Sequence, residues 1–137
     1  MTCQNSLTRA TRLDAETLQS EVSAHLRNTQ MSFLLHKGAY ALCIPGHMPI
    51  AWPSISPRPG VKPAFYEETT TLLLSYLLER FRPATFFDVG AAVGYFSRVA
   101  ASNKHVAVRA HAFEMRPEQV STLREILSHD AFGERVS

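Results

Sequence analysis

Two acidic residues and two glycines in the second half of the chain have the types and the spacing that suit a nucleoside ligand. Asp88 ends a short apolar run, and Gly90 and Gly94 follow it in the pattern Asp-x-Gly-x-x-x-Gly. Glycine lacks a Cβ, so such a turn lets the backbone approach a ligand closely, and a following helix directs free N–H groups at the same spot. Glu114 closes the next apolar run, where a carboxylate can accept both hydroxyls of a ribose. Two carboxylates at neighbouring strand ends suit a nucleoside that carries a positive charge.

The glycine pattern differs from two better-known phosphate-binding loops. It lacks the middle glycine of Gly-x-Gly-x-x-Gly, two places after Gly90, and it lacks the Gly-Lys-Ser/Thr of a P-loop. The turn is therefore suited to an amino-acid moiety more than to a pyrophosphate. The alternative is that Asp88 only caps the following turn and that Gly90 is an ordinary loop residue.

The elements that would position these residues can be read from hydrophobic periodicity and from proline. The first part of the chain is predicted to hold one helix, two short strands and a proline-rich loop. Its elements are a helix over about 15–27 with Asp14 as N-cap, an extended segment over 31–44 with a turn at Gly38, and a loop over 45–63, neither helix nor central strand, that Trp52 anchors.

The second part alternates helices and strands. The predicted elements are a helix over 67–81, a strand over 85–89, a helix over 93–102, a strand over 106–113, a helix over 117–127 that begins with a proline, and a loop over 129–137 that enters a third strand. In the last helix, Val120, Leu123 and Leu127 are expected to face inwards. Crossovers of about a dozen residues or more between strands favour a parallel sheet. Arg109 and His111 share one face of the second strand, which would suit a position at the edge of the sheet.

Three runs of residues in the second part of the chain resemble those of a known family. The run Phe-Phe-Asp-Val-Gly-Ala-Ala-Val-Gly-Tyr-Phe-Ser over 86–97, the run Ala-Phe-Glu over 112–114 with Pro-Glu just beyond, and Phe-Tyr-Glu over 65–67 are similar to class I S-adenosylmethionine-dependent methyltransferases of the FkbM type. The resemblance implies an α/β fold with a partial Rossmann-like methyltransferase core, preceded by a helix and a small β-containing extension. The expected division is an N-terminal part over 1–64 and, over 65–137, the first half of a methyltransferase-like domain, truncated before the third core strand.

The resemblance implies roles for the residues of the loop. Gly90 and Gly94 would let the backbone approach the methionine part of S-adenosylmethionine, and Asp88 would orient the loop and the amino group of the cofactor. Ala92 stands where the family usually has Asn, so one polar group of the loop is missing.

The remaining cofactor-binding residues implied by the resemblance lie on either side of the loop. Glu114 would bind the ribose, Tyr95 and Met115 would line the pocket, and Glu67 would reach the cofactor from the preceding segment. Met115-Arg116 replaces the Pro-Asn that the family usually has after the glutamate.

The expected function is methyl transfer to a hydroxyl of a small molecule, by a chain that carries the first half of the cofactor site and no complete acceptor site. No catalytic residue can be assigned from the sequence. The alternative is a non-catalytic remnant or interaction module that self-associates through an open sheet edge, and a nicotinamide-binding fragment is a third, weaker alternative.

The composition argues against a nucleic-acid-binding protein and against a membrane protein. The 137 residues carry a formal net charge of only +2, so charge does not favour nucleic acid or an anionic membrane. The basic residues Arg98, Lys104, His105 and Arg109 are expected on a solvated surface, since no aromatic residues alternate with them. The longest apolar run, over 72–78, is too short to span a bilayer.

The number and spacing of the cysteines and histidines indicate the redox state of the compartment and whether a metal site is expected. Two cysteines, without metal-site spacing, favour a reducing compartment and a cytoplasmic location. The six histidines show no metal-ligand spacing either, so no metal is expected.

Overall fold

The computed structural model describes residues 15–36, 39–51 and 65–137 of the chain. The helices in these residues are α1 (Ala15–Asn28), α2 (Glu68–Phe81), α3 (Tyr95–Ser102), α4 (Pro117–Leu127) and a final 3-10 helix (Gly133–Arg135). The strands are β1 (Ser32–His36), β2 (Ala39–Cys43), β3 (Ile50–Ala51), β4 (Thr85–Val89) and β5 (Arg109–Phe113). The described residues therefore form a mixed α/β fold, in which β1, β2 and β3 make an antiparallel sheet and β4 and β5 a parallel sheet.

The antiparallel sheet has the order β1-β2-β3. Phe33 pairs with Leu42 between β1 and β2, and Leu42 pairs with Ile50 between β2 and β3. The predicted helix and the two predicted strands are thus confirmed, but the prediction of an irregular loop over 45–63 missed β3, which follows Pro49 directly. The predicted N-cap Asp14, turn residue Gly38 and anchor Trp52 lie outside the described residues.

The parallel sheet consists of β4 and β5, as predicted from their long crossover. Phe87 lies opposite His111 in the register, and Val89 lies opposite Phe113. On the outer side of β5, Val136 forms a parallel bridge with Ala110, which is the position where a third strand would begin.

The predicted second-half helices are observed with small shifts in their ends, and β5 is shorter than predicted. Its start is delayed because the Asn103 side chain accepts hydrogen bonds from the backbone of His105 (2.8 Å) and Val106 (2.9 Å), which curls the preceding segment. The helix after β4 begins at Tyr95 because the turn closes with the Gly94 N–H donating to the Ala91 carbonyl at 2.6 Å.

The larger of two hydrophobic clusters in the described residues joins the N-terminal part to the parallel sheet. Leu42 and Ile50 from the antiparallel sheet, Val99 from α3, Ala110 from β5 and Phe132 are all at most 1% exposed and belong to one cluster. The core lies on the face of the β4–β5 sheet that packs against α3, so burial of apolar area fixes the helix that follows the glycine turn.

A group that we call the buried clamp ties β3 to α3. It consists of the side chains of Arg98 and Asp130 and the backbone of Ala51. The Arg98 Nε donates to Asp130 Oδ2 at 2.6 Å, the Ala51 N–H donates to Asp130 Oδ1 at 3.0 Å, and the Arg98 guanidinium donates to the Ala51 carbonyl. The expectation that Arg98 lies on a solvated surface is therefore wrong: it is 1% exposed, because its charge is paired inside the protein.

His47 is the second buried polar centre. Its Nδ1 lies 3.1 Å from the Val99 carbonyl oxygen, and its Nε2 lies 2.9 Å from Ser75 Oγ and 3.3 Å from Asn103 Nδ2. A carbonyl only accepts and an amide nitrogen only donates, so Nδ1 carries the proton and Nε2 accepts. Burial lowers the pKa of His47 to about 4. The neutral ring connects the segment between β2 and β3 to α2 and α3.

No helix in the described part of the chain is both long enough and apolar enough to cross a membrane.

Candidate functional site

Residues 90–94 form the turn between β4 and α3, and we call this segment the glycine loop. Gly90, Ala92 and Gly94 all have positive φ, at 82°, 50° and 72°. The N–H groups of Gly90 and Ala91 both donate to the Phe113 carbonyl, at 2.8 and 3.0 Å, so the loop is fixed to the end of β5. The two strand ends and the loop thus form one connected unit.

The glycines at the two ends of the loop have different surroundings. A Cβ on Gly94 would overlap the side chain of Leu123 on α4, so Gly94 allows close packing between the loop and that helix. A Cβ on Gly90 would meet no atom within 4 Å. Gly90 therefore faces open space, while its positive φ still favours glycine.

Asp88 lies at the end of β4 and binds the first turn of α3. Its Oδ2 accepts from the Ser97 N–H at 3.0 Å and from the Ser97 hydroxyl at 2.7 Å. A carboxylate here satisfies a free N–H of the helix start and complements the positive end of the dipole. Asp88 thus orients α3 and the glycine loop.

Glu114 directs its carboxylate back toward the glycine loop. Its Oε2 accepts from the Ala92 N–H and its Oε1 from the Arg116 N–H, both at 2.9 Å. Its side chain is 9% exposed, and the Arg116 Nε lies 3.5 Å from Oε1. The hydrogen bonds from the backbone of Arg116 and then of Ala92 lower the pKa of Glu114, so the carboxylate is charged at neutral pH.

A cavity of about 800 Å³ connects Gly90 to Glu114. It lies beyond the carboxyl end of β5 and beside one face of α4. Its lining residues are Val89, Gly90, Ala112, Phe113, Glu114, Met115, Val120, Leu123, Arg124, Leu127, Val136 and Ser137. The volume is within the range of small-molecule pockets, about 300–1,000 Å³. An apolar wall with one acid at its rim suits a ligand that has a flat apolar part and hydroxyl groups.

Some of the predicted cofactor-binding residues line this cavity, and the others lie outside it. Gly90, Glu114 and Met115 line the cavity, and Met115 is 95% exposed. Ala92 contacts it indirectly, through its N–H bond to Glu114. Gly94 lies behind, against Leu123.

Three of the predicted residues, Asp88, Tyr95 and Glu67, lie outside the set of cavity-lining residues. The Tyr95 hydroxyl lies 3.0 Å from the Thr71 hydroxyl on α2, and its ring packs edge-on against Tyr66. Burial raises the pKa of Tyr95. Glu67 is exposed at the N-cap of α2 with φ of 41°.

The α4 face of the cavity was predicted from the sequence only as a packing face. Val120, Leu123 and Leu127 were expected to point inwards, and all three line the cavity together with Arg124. The helical spacing of the apolar residues was the available signal, and nothing in it distinguishes a wall of a cavity from a core contact.

No group of three or more His, Cys, Asp or Glu side chains within 15–36, 39–51 and 65–137 is arranged to hold a metal ion. Comparisons of the chain with protein-family models, with curated proteins and with solved structures found no significant match.

Proposed function

We propose that this chain binds S-adenosylmethionine at the glycine loop and serves methyl transfer to a hydroxyl of a small molecule. The observation that carries the proposal is the position of Glu114, whose charged carboxylate lies at the rim of the cavity and is bonded to the loop that begins at Gly90. We also propose that the fold is a partial Rossmann-like methyltransferase core, on the basis of the same residues and of the sequence resemblance.

The chemistry of the site fits the cofactor at three points. A carboxylate has about four acceptor positions, and Glu114 uses two of them on backbone N–H groups, so acceptor capacity for ribose hydroxyls remains. The open space at Gly90 leaves room for close approach of a ligand to the backbone. The negative charge of Glu114 at the rim of the cavity favours a sulfonium cation.

The cofactor supplies the reactive methyl group, and the residues of this chain would bind and orient it. Glu114 would hold the ribose, Met115 and the apolar α4 face would exclude water from the adenosine part, and Asp88 would keep α3 in place. The methyl acceptor is proposed as a small molecule by resemblance alone. The absence of nucleic-acid and membrane partners and the cytoplasmic location remain proposals that rest on net charge and cysteine usage.

Isothermal titration calorimetry with S-adenosylmethionine tests the proposal. Loss of hydrogen bonds to a charged group costs about 1.5–3 kcal/mol, so we expect Glu114→Ala to weaken binding by roughly 10- to 100-fold. Gly90→Val should also weaken it, because a branched side chain would enter the open space at the loop. Glu118→Gln is the matched control, since Glu118 is exposed on the first turn of α4 and does not line the cavity.

Thermal unfolding of each variant shows whether a loss of affinity reflects a loss of folding. Absence of binding by the unmodified chain, or unchanged affinity in folded Glu114→Ala and Gly90→Val proteins, would refute the proposed site.

A second candidate function is that of an interaction module without catalysis. The open edge of β4 favours it. Among the described residues β4 pairs with β5 on one side and with no strand on the other, which leaves an open sheet edge. Association that does not respond to S-adenosylmethionine, in a chain that also fails to bind it, would support this alternative.

A further inference from the structure

The two faces of the β4–β5 sheet are unequally covered. On one face Phe86 and Ala112 pack against the core and Ala110 is 0% exposed. On the other face Phe87 is 64% exposed and Phe113 is 53% exposed. Within residues 15–36, 39–51 and 65–137, no described element buries these two rings. We call this second surface, made of Phe87, Val89, Phe113 and Met115, the bare face.

The residues of the bare face form one continuous patch. The rings of Phe87 and Phe113 are stacked with centroids 6.2 Å apart, and the ring of Phe87 also stacks on His111 at 5.4 Å. Val89 is paired with Phe113 in the sheet register and is 84% exposed, while Met115 is 95% exposed. Together these four side chains expose about 500 Å² of apolar surface, which is at the upper end of what a monomeric protein normally leaves uncovered.

We propose that the bare face is the interface through which two copies of this chain associate. Two such faces would bury about 1,000 Å² from the four side chains alone, which reaches the size that a specific interface requires. The flanking Thr85, Arg109 and His111 lie on the same face and would add to this area. An isologous dimer needs one self-complementary patch, and the four residues of the bare face, all of them apolar and uncharged, meet that condition.

Association by the face accounts for more of the structure than association by the edge of β4. Pairing of edge strands would satisfy only the outward-pointing backbone groups, which belong to alternate residues of β4, and would leave Phe87 and Phe113 exposed. Pairing of faces covers these rings. It also covers Val89 and Met115, which line the cavity beside Gly90, so the second copy would close the side of that cavity.

Sedimentation velocity on the full chain, over about 1–100 µM, tests the proposal, since interfaces of this size span micromolar and tighter affinities. We expect a dimer for the unmodified chain and a monomer for Phe87→Lys. Val89→Asp should also give a monomer, and because Val89 is 84% exposed this change does not disturb the core. Phe81→Lys is the matched control, since Phe81 is a phenylalanine of similar exposure, 57%, at the end of α2, and this variant should remain dimeric.

Several outcomes would overturn the proposal: a monomer over the whole concentration range, assemblies larger than a dimer, or equal association of the unmodified, Phe87→Lys and Val89→Asp chains. Titration of the same samples with S-adenosylmethionine separates this proposal from the proposed function. A dimer that does not bind the cofactor refutes only the function, and a monomer that binds it refutes only the interface.

Discussion

The buried clamp and the glycine loop both use a carboxylate to bind backbone N–H groups, but their surroundings differ. The Asp130 side chain is 0% exposed, and its two oxygens are taken by Arg98 and by the Ala51 N–H. Glu114 lies at the rim of a cavity and has acceptor positions left. An acid buried among its partners, such as Asp130, serves stability, whereas an acid at the rim of a cavity with acceptor positions left can also serve a ligand.

The difference predicts that single changes in the buried clamp destabilise the fold far more than changes at exposed ion pairs. Arg98→Met leaves the charge of Asp130 buried and unpaired, so we expect a loss of about 3–5 kcal/mol in the free energy of unfolding. Arg80→Met removes an exposed ion pair with Glu21 and should cost at most about 1 kcal/mol. Urea unfolding followed by circular dichroism at pH 7 measures both.

A cost for Arg98→Met that equals the cost of Arg80→Met would contradict the clamp. In that case the Arg98–Asp130 pair would have to be hydrated in solution, and its contacts with Ala51 would contribute little to stability.

The buried clamp also shows what the sequence could not predict. Asp130 and Ala51 are separated by 79 positions, and Arg98 and Asp130 by 32. Periodicity and turn signals report on neighbours within a few positions, so they assigned Arg98 to a solvated cluster and overlooked β3. The burial of a charge depends on which distant segments meet, and a single sequence does not contain that information in local form.

The glycine loop was predictable for the opposite reason. The apolar run of β4, the glycines at 90 and 94 and the acid at the end of β5 are local signals, and the parallel pairing followed from the length of the crossover. The partners of Asp88 were predictable only as a general capping role. The contact between Tyr95 and Thr71 could not be predicted, because the sequence indicates the length of a helix but not how its packing neighbours rotate it about its axis.

The second prediction concerns pH, because the other buried polar centre contains a titratable ring. The pKa of His47 falls to about 4 in the folded protein, through burial first and through the nearby charges of His105 and Lys104. The unfolded chain binds the proton at about pH 6.5, so its protonation favours unfolding below that pH. Stability should be complete above about pH 6.5, fall by roughly 2 kcal/mol at pH 5, and continue to fall toward pH 4.

Urea unfolding at several pH values between 7.5 and 5 measures this slope. His47→Gln is the control, since it removes the titrating ring and should give a flatter dependence on pH whatever its absolute stability. An equal slope in both proteins would show that His47 is already protonated, or hydrated, in the folded state. The expected effect is smaller than that of Arg98→Met at neutral pH, because a neutral imidazole leaves no unpaired charge inside.

The smallest expected effect lies in the glycine loop itself, at Ala92. This residue has φ of 50°, a conformation that costs an L-residue about 1–2 kcal/mol and that Asn tolerates better. Ala92→Asn should therefore stabilise the fold by about 0.5 kcal/mol, as measured by urea unfolding, because part of that strain is relieved while the N–H bond to Glu114 is retained. A polar side chain at this position should also tighten binding of S-adenosylmethionine in calorimetry.

Ala91→Asn is the control. Ala91 lies in the same loop, is 7% exposed and has no positive φ, so a polar amide placed there should destabilise the protein. Destabilisation by Ala92→Asn equal to that by Ala91→Asn would mean that the loop is packed as tightly as the interior, and the contrast between the rim acid and the buried clamp would then no longer hold.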